Sequence, residues 1–173
     1  MKKVLVFGSS NSSKSINKKL AIYTAQHLTN AELIIIDLND FQLPIYNPDL
    51  QQAEGIAPDA LRFNELLASV DGIVLSMAEY NGNYTTVFKN MFDWVSRIDK
   101  DVWKNKPMLL LGTSPGRRGA KSVLKIATDA FPFYSGNIVA SFSLPQFHQN
   151  FGESGIQDET LLQTLKEQVA IFQ

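Results

Sequence analysis

The chain alternates between continuous apolar runs and segments in which apolar residues recur every three or four positions. The runs lie at residues 4–7, 33–38, 73–77, 108–111 and 138–142, interrupted only by Asp37, Ser76 and Ser141, and they predict five strands. The run at 4–7 suits a strand buried on both faces, and the run at 33–38 is predicted to be a second buried strand. The periodic segments predict helices that begin near Ser15, at Pro58 and near Gly119, with further helices over residues 87–98 and 162–172. Strand and helix therefore alternate along the chain.

Each predicted helix has an apolar stripe that we expect to pack on a sheet. The positions expected to be buried in the first, second and last helices are Leu20, Ala21, Ala25, Leu28, Leu61, Leu66, Leu67, Leu162, Leu165, Val169 and Phe172. The helix over residues 87–98 has a broader apolar face, because Phe88 and Phe92 flank its periodic positions. We expect part of that face to contact another subunit.

This alternation predicts an α/β three-layer sandwich, with helices on both faces of a five-stranded parallel sheet. We expect the strand order 2-1-3-4-5 and a single domain over residues 1–173. In such sheets a ligand binds beyond the carboxyl ends of the strands, where the strand order reverses. Three loops follow the strands at that point: loop 1 (residues 8–17), loop 2 (residues 78–84) and loop 3 (residues 113–119).

Composition narrows the class of protein. The 173 residues, 45% hydrophobic and 19% charged, are typical of one globular domain, and a net charge of −1 gives no electrostatic footprint for nucleic acid. The absence of cysteine excludes disulfides, iron–sulfur clusters and thiolate chemistry. The first apolar run is too short for a signal peptide, and no run approaches the ~20 residues of a membrane span. We therefore expect a cytoplasmic protein with no membrane or nucleic-acid partner.

Loop 1 has the composition of a phosphate site. It contains seven Ser or Asn residues between a strand and a helix start, where unpaired N–H groups and the helix dipole favour an anion. A Ser-rich helix cap is the alternative, although a cap needs only one such residue. The loop lacks the glycine motifs of nucleoside triphosphate and dinucleotide sites, which favours a monophosphate. Lys14 either adds charge there or is solvated surface.

Loops 2 and 3 have features that suit a flat ligand. Asn81 and Gly82 tolerate left-handed backbone, so loop 2 can turn sharply and direct its amides at a ring that Tyr80 and Tyr84 flank. A plain Asn-Gly turn is the alternative. Loop 3 allows close backbone approach at its glycines, and its two arginines either meet a nucleotide phosphate or form surface salt bridges.

Together these loops resemble those of the NADPH-dependent FMN reductase family of flavodoxin-like proteins, which includes quinone, azo-dye and chromate reductases. The resemblance covers most of the chain. It is carried by Gly8-Ser9 with Ser15-Ile16-Asn17, by Glu79-Tyr80-Asn81-Gly82 followed by Lys89-Asn90 and Asp93-Trp94, by Ser114 to Gly119, and by Asp37-Leu38 with Leu43-Pro44. The block that begins at Glu79 is the most specific part.

The resemblance implies a cofactor-binding set for FMN. It assigns Ser9, Ser15, Ile16 and Asn17 to the phosphate, the backbone of Ala78, Glu79, Tyr80, Asn81 and Gly82 to the isoalloxazine ring, and Ser114 and Gly116 to its pyrimidine side. Asn11 belongs to the set, although the family usually has Arg there, and this leaves the choice between NADPH and NADH open. The family usually has Pro at position 78, so Ala78 should loosen the turn.

The resemblance also implies an activity. Reduced nicotinamide would give a hydride to flavin N5 and leave, after which a quinone, azo compound, flavin or metal oxyanion would take the electrons in a ping-pong cycle. The protein's part is orientation and charge stabilisation, to which Arg117 and Arg118 could contribute, so no catalytic residue and no metal site is predicted. Because members of the family form dimers or tetramers, the resemblance implies a homodimer or homotetramer.

Two other classes of function compete with this one. A flavodoxin-like electron carrier, or an FMN-binding module without nicotinamide turnover, is the first; a carrier should be strongly acidic, and this chain is not. A serine hydrolase is the second, because residues 112–116 fit Gly-x-Ser-x-Gly, with Asp129 and His148 following Ser114 in order. Pro115 lacks the backbone N–H that the oxyanion hole would need, which disfavours a hydrolase. His27 is interpreted as a helix-face residue and His148 as a loop residue near the edge of the site.

Overall fold

A five-stranded parallel sheet of order β2-β1-β3-β4-β5 forms the centre of the computed structural model, which describes residues 1–173. This is the predicted order. The strands are β1 (Lys2–Gly8), β2 (Ala31–Ile35), β3 (Gly72–Met77), β4 (Pro107–Thr113) and β5 (Asn137–Leu144), and a hairpin of β6 (Phe151–Gly152) and β7 (Gly155–Ile156) stands apart. The helices are α1 (Ile16–Ala25), α2 (Pro48–Glu54), α3 (Pro58–Ser69), α4 (Thr86–Ile98), α5 (Lys121–Ala130), α6 (Phe147–Asn150) and α7 (Glu159–Phe172).

Alternate side chains of the central strands separate two hydrophobic cores. On one face, Val4 and Val6 of β1 pack with apolar residues of α1 and α7. On the other face, Leu5 and Phe7 pack with residues of α3, α4 and α5. Because helices cover both faces, β1, β3 and β4 are buried nearly throughout, as their continuous apolar runs predict.

The second strand differs from its prediction in both bounds and burial. It ends at Ile35, and Asp37 caps a short 3₁₀ turn at Leu38–Asp40, so residues 36–38 are not strand. None of its five residues is fully buried. The reason is its place at the edge of the sheet, where β2 has only one neighbouring strand.

Two helices in the first half of the chain also correct the sequence analysis. The buried stripe of α3 consists of Ala60, Phe63 and Leu67, whereas Leu61 is 41% exposed. Helix α2 was not predicted at all. It buries no residue, so it has no apolar periodicity that could have indicated it.

The apolar face of α4 is mostly covered by the protein's own chain. Phe88 is 2% exposed, and Phe92 stacks on Trp103 and Phe131 at ring-centroid distances of 5.8 and 6.0 Å. Phe88 is therefore closed to another subunit, whereas Phe92 and Val87 are only partly buried, so a subunit contact through this face stays a prediction. The homodimer or homotetramer stays a prediction from the family resemblance.

Helix length also bears on membranes. None of the helices has both the length and the apolar character that a bilayer crossing requires.

Candidate functional site

The three predicted loops meet at one cleft of about 220 Å³ beyond the carboxyl ends of β1, β3 and β4. This volume is below the ~300–1,000 Å³ that is usual for small-molecule pockets. Its walls are formed by Ser10, Ser12, Lys14, Ser15, Ile16, Asn17, Ala78, Glu79, Tyr80, Thr113, Ser114 and Pro115. The position beside the reversal of strand order is the one that the fold predicts for a ligand.

The first turn of α1 provides an anion cradle. The Ser15 side chain accepts a hydrogen bond from the Lys18 N–H at 3.1 Å and so caps the helix. The backbone N–H groups of Ile16 and Asn17 have no acceptor within the protein. These two donors lie in the wall of the cleft at the positive end of the helix dipole, which is a suitable place for a phosphate.

The side chain of Asn17 is 3% exposed and has hydrogen bonds on both sides of its amide. Its Nδ2 donates to the Thr113 carbonyl at 3.1 Å, and its Oδ1 accepts from the Thr113 N–H at 3.0 Å and from Ser76 Oγ at 2.8 Å. Asn17 thus joins α1 to the ends of β3 and β4. Only its backbone N–H remains for a phosphate.

Loops 1 and 2 are joined at their bases by Ser9, which is fully buried. Its Oγ accepts the Ala78 N–H at 2.8 Å, and its carbonyl accepts a hydrogen bond from Thr85 Oγ1. A proline at position 78 would lack this N–H. The expected loosening at Ala78 is therefore offset by a direct link between the two loops.

The tip of loop 2 is a tight turn. Tyr80 and Asn83 exchange backbone hydrogen bonds of 3.1 Å in both directions, and the two residues between them have positive φ, 53° at Asn81 and 75° at Gly82. Positive φ at both central positions defines a type I′ turn, for which Asn-Gly is the preferred pair. The turn leaves Tyr80 51% exposed beside the cleft, with its hydroxyl 3.5 Å from Ser10 Oγ.

Loop 3 is held from two directions. The carbonyls of Ser114 and Gly116 accept the N–H groups of Phe147 and Gln146 at 3.0 and 2.9 Å. At the other side of the cleft, Glu79 Oε2 accepts the N–H of Val123 in the first turn of α5 at 2.9 Å. The N–H groups of Ser114 and Gly116 themselves have no acceptor in the protein.

The charges around the cleft are mostly positive. Lys14 lies in the wall of the cleft. Arg117 and Arg118 come soon after the wall residues of loop 3, and Lys121 is at the start of α5. None of these four forms a salt bridge. The one carboxylate in the wall, Glu79, is bonded to the start of α5.

Lys18 on α1 is neutralised by a neighbour. Its Nζ lies 2.6 Å from Asp37 Oδ2. Burial acts to raise the pKa of Asp37, but hydrogen bonds from Lys18 and from the Asn39 N–H, with the charge of Lys18, outweigh it and hold the pKa below its ordinary value. Lys18 is therefore engaged with Asp37, and Lys14 remains as the cation beside the cradle.

The structure brings most of the predicted cofactor-binding residues together. Those in the wall of the cleft are Ser15, Ile16, Asn17, Ala78, Glu79, Tyr80 and Ser114. Ser9 lies beneath it, Asn81, Gly82 and Gly116 lie at loop tips outside its wall, and Asn11 lines a neighbouring groove with Tyr84 and Leu43. Sequence reasoning did not assign Ser10, Ser12, Thr113 or Pro115 to the cofactor-binding set, although the loops that contain them were indicated.

The hydrolase triad does not assemble. Ser114 Oγ donates to the Gly116 carbonyl at 3.3 Å, and Asp129 pairs with Lys125 near the far end of α5. His148 is exposed on α6, outside the wall of the cleft, and is not the loop residue that was expected. His27 also differs from its interpretation, because α1 ends at Ala25 and His27 lies in the following turn.

A doubly wound parallel sheet of order 2-1-3-4-5 with a ligand cleft at its point of reversal defines a flavodoxin-like α/β protein. The family model of the NADPH-dependent FMN reductases matches residues 2–149, and the chain belongs to this family. The resemblance inferred from the loops is thus confirmed. At the level of the family, so is the prediction of FMN with a reduced nicotinamide nucleotide.

Individual relatives agree with this assignment. The NAD(P)H-dependent FMN reductase of Pseudomonas aeruginosa is 38% identical over 85 residues, which are 49% of this chain and 45% of that protein. The quinone reductase of Escherichia coli is 34% identical over 74 residues, 43% of this chain and 39% of that protein. The matched segments therefore span less than half the length of these two relatives.

One solved structure is similar over nearly the whole chain. The flavoenzyme NAD(P)H:acceptor oxidoreductase FerB of Paracoccus denitrificans superimposes with a TM-score of 0.79 at 27% identity. The superposition covers 99% of this chain and 95% of that one. The fold is therefore shared along nearly the full length of both chains.

Proposed function

We propose that this protein is an NAD(P)H-dependent, FMN-containing oxidoreductase that passes electrons to a small-molecule acceptor. The observation that carries the proposal is the cleft, where unpaired backbone N–H groups of α1 and loop 3 converge beside Lys14. The family match supports the same cofactor.

The residues of the cleft fit FMN. Ile16 and Asn17 would hold the phosphate through their free N–H groups, with Lys14 adding a positive charge. The N–H groups of Glu79, Ser114 and Gly116 also lack acceptors and would serve the polar edge of the ring. When bound, FMN would supply the redox chemistry, taking a hydride from reduced nicotinamide and then delivering electrons to the acceptor in a second half-reaction.

The protein's own work is to hold these donors in place. Asn17 and Ser9 use their side chains to link the loops, which leaves backbone donors fixed and unpaired. A cleft of this small volume would leave the flavin ring open to solvent, so that the nicotinamide and the acceptor would use it in turn. Quinones, azo compounds, flavins and metal oxyanions are the acceptors we propose.

Absorbance spectroscopy tests the proposal. The purified protein should take up FMN, and under anaerobic conditions NADH or NADPH, in separate cuvettes, should bleach the flavin band. Adding a quinone or an azo dye should then restore it. A protein that takes up no FMN contradicts the proposal, whereas bound FMN that neither nucleotide bleaches favours an electron carrier or binding module.

Location and assembly are part of the proposal. We propose a cytoplasmic homodimer or homotetramer, supported by the family resemblance. Sedimentation equilibrium of the FMN-loaded protein tests the assembly, and a monomer at micromolar concentration would contradict it.

A further inference from the structure

Helix α5 has no cap within its own segment. Its N-cap position is Ala120, whose φ is 61° and whose side chain has no hydrogen-bonding atom. A local side chain caps α1, α2, α4 and α7, namely Ser15, Asn47, Thr85 and Asp158, whereas α3 and α6 also lack a side-chain cap. A helix start without a local cap leaves its first N–H groups to water or to another part of the chain.

Glu79 supplies the missing cap from loop 2. Its Oε2 accepts the Val123 N–H at 2.9 Å across 44 residues of sequence. Val123 is the third residue of α5, which is the position that an N-cap side chain ordinarily bonds. A carboxylate there also faces the positive end of the helix dipole.

This bond joins loop 2 to the helix that directly follows loop 3. Glu79 of loop 2 and Ser114 and Pro115 of loop 3 are all wall residues of the cleft. The far end of loop 3 is fixed by Gly119, where a Cβ would lie 2.5 Å from Ser143 Oγ. Gln146 and Phe147 also bond to the carbonyls of loop 3, and Glu79 adds a contact from the side of loop 2 through the start of α5.

We infer that Glu79 is a positioning residue that sets the separation of loops 2 and 3 and, through its charge, offsets the positive end of α5 beside the flavin ring. This inference rests on the proposed function, because it assumes that FMN occupies the cleft. It assigns Glu79 a role beyond lining the site. The hydrogen bond of its side chain would position loop 3 through α5. The charge of its carboxylate would shift the balance between oxidised and reduced FMN.

Two variants separate the bond from the charge. Glu79→Gln keeps an oxygen that can accept the Val123 N–H but removes the charge, whereas Glu79→Ala removes both. We expect Glu79→Ala to weaken FMN binding about tenfold, whereas Glu79→Gln should keep most of the wild-type affinity. Without the carboxylate, the positive end of α5 and the nearby arginines favour the reduced, anionic ring. Glu79→Gln should therefore bind reduced FMN about tenfold more tightly relative to oxidised FMN, a rise of about 30 mV for a two-electron couple.

Amide hydrogen exchange of the apoprotein gives a readout that does not need FMN. Glu79→Ala should increase exchange at Val123, and Glu79→Gln should not. Asp158→Ala is the matched control, because Asp158 caps α7 by accepting the Leu161 N–H at 2.8 Å and is not a wall residue of the cleft. It should increase exchange at Leu161 and leave FMN affinity unchanged.

The outcomes are distinguishable. Unchanged FMN affinity and unchanged Val123 exchange in Glu79→Ala would overturn the positioning role, and an unchanged potential in Glu79→Gln would overturn the role of the charge. A wild-type protein that takes up no FMN overturns the proposed function. In that case, the exchange experiment still decides whether Glu79 caps α5.

Discussion

Two groups of buried polar side chains contrast in this protein. At the bases of the loops, Ser9, Asn17 and Thr113 are buried and bonded to backbone groups of other elements. In the aromatic cluster beside α4, Tyr84 OH and Trp103 Nε1 are buried without a partner. The first group fixes the site, whereas the second lowers the stability of the fold because a buried unpaired polar group loses its hydration.

Tyr84→Phe tests the second group. Removing the unpaired hydroxyl should stabilise the fold by about 1 kcal/mol, as measured by urea denaturation at pH 7. Tyr80→Phe is the control, because Tyr80 is 51% exposed and the loss of its hydroxyl should change stability little. A Tyr84→Phe protein less stable than wild type would show that the hydroxyl has a partner in solution.

Because of the same tyrosine, we expect the stability of the fold to fall at high pH. Burial, with a smaller effect of Tyr134, raises the pKa of Tyr84 from 10.0 to about 12. A raised pKa means that the folded state holds the proton more tightly than the unfolded chain does. The stability that depends on the neutral hydroxyl is therefore fully present below pH 10 and is lost as the pH rises towards 12. The stability advantage of Tyr84→Phe over wild type should therefore grow across that range. A constant difference between the two proteins would contradict the assigned pKa.

At the scale of elements, the junction of β1 and α1 determines where the anion cradle lies. A Cβ at Gly8 would lie 2.5 Å from the Lys18 nitrogen and 2.9 Å from the Asn17 carbonyl carbon. Both are backbone atoms and cannot move without moving the helix. Glycine at this position therefore allows α1 to start close to the end of β1, with its free N–H groups in the cleft.

Gly8→Ala should displace α1. We expect a loss of about 1–3 kcal/mol in the free energy of unfolding, as for overpacked cores, and weaker FMN binding because the cradle moves with the helix. Gly116→Ala is the control for stability, since the nearest atom to its Cβ would be 3.9 Å away. Urea denaturation and FMN titration measure both effects, and wild-type stability in Gly8→Ala would refute the close contact.

Elements that bury an apolar face were predictable, and others were not. The runs of β1, β3 and β4 indicated strands because two cores require apolar residues on both faces. Helix α2 left no such signal, since none of its residues is buried. The stripe of α3 was misassigned because Leu61 is apolar but lies on the solvent side of the helix. The packed side of the helix is the one that carries Ala60 and Phe63.

At the scale of the whole molecule, the charge is unevenly distributed. The net charge is −1, yet Lys14, Arg117, Arg118 and Lys121 lie at or near the cleft without a salt bridge. A local excess of positive charge attracts anionic ligands over a distance set by the salt concentration.

Ionic strength should therefore affect the association rate of FMN more than that of riboflavin, which lacks the phosphate. Raising the salt from about 0.01 M to about 0.1 M shortens the Debye length from about 30 Å to about 10 Å, and we expect FMN association, followed by stopped-flow fluorescence, to slow severalfold. Lys14→Gln should reduce this salt dependence. Equal salt effects on FMN and riboflavin would show that the cations do not act on the phosphate.

The sequence by itself determined the sheet order, the three loops and the family, because burial leaves a periodic pattern and parallel strands bring their carboxyl ends to one edge. Only the tertiary structure decided which side chains bond across those loops. Asn17 meets Thr113 across 96 residues and Glu79 meets Val123 across 44. Such bonds need atoms within about 3 Å, and periodicity cannot specify positions that finely. For the same reason, the tertiary structure alone showed that Ser114, Asp129 and His148 do not form a triad.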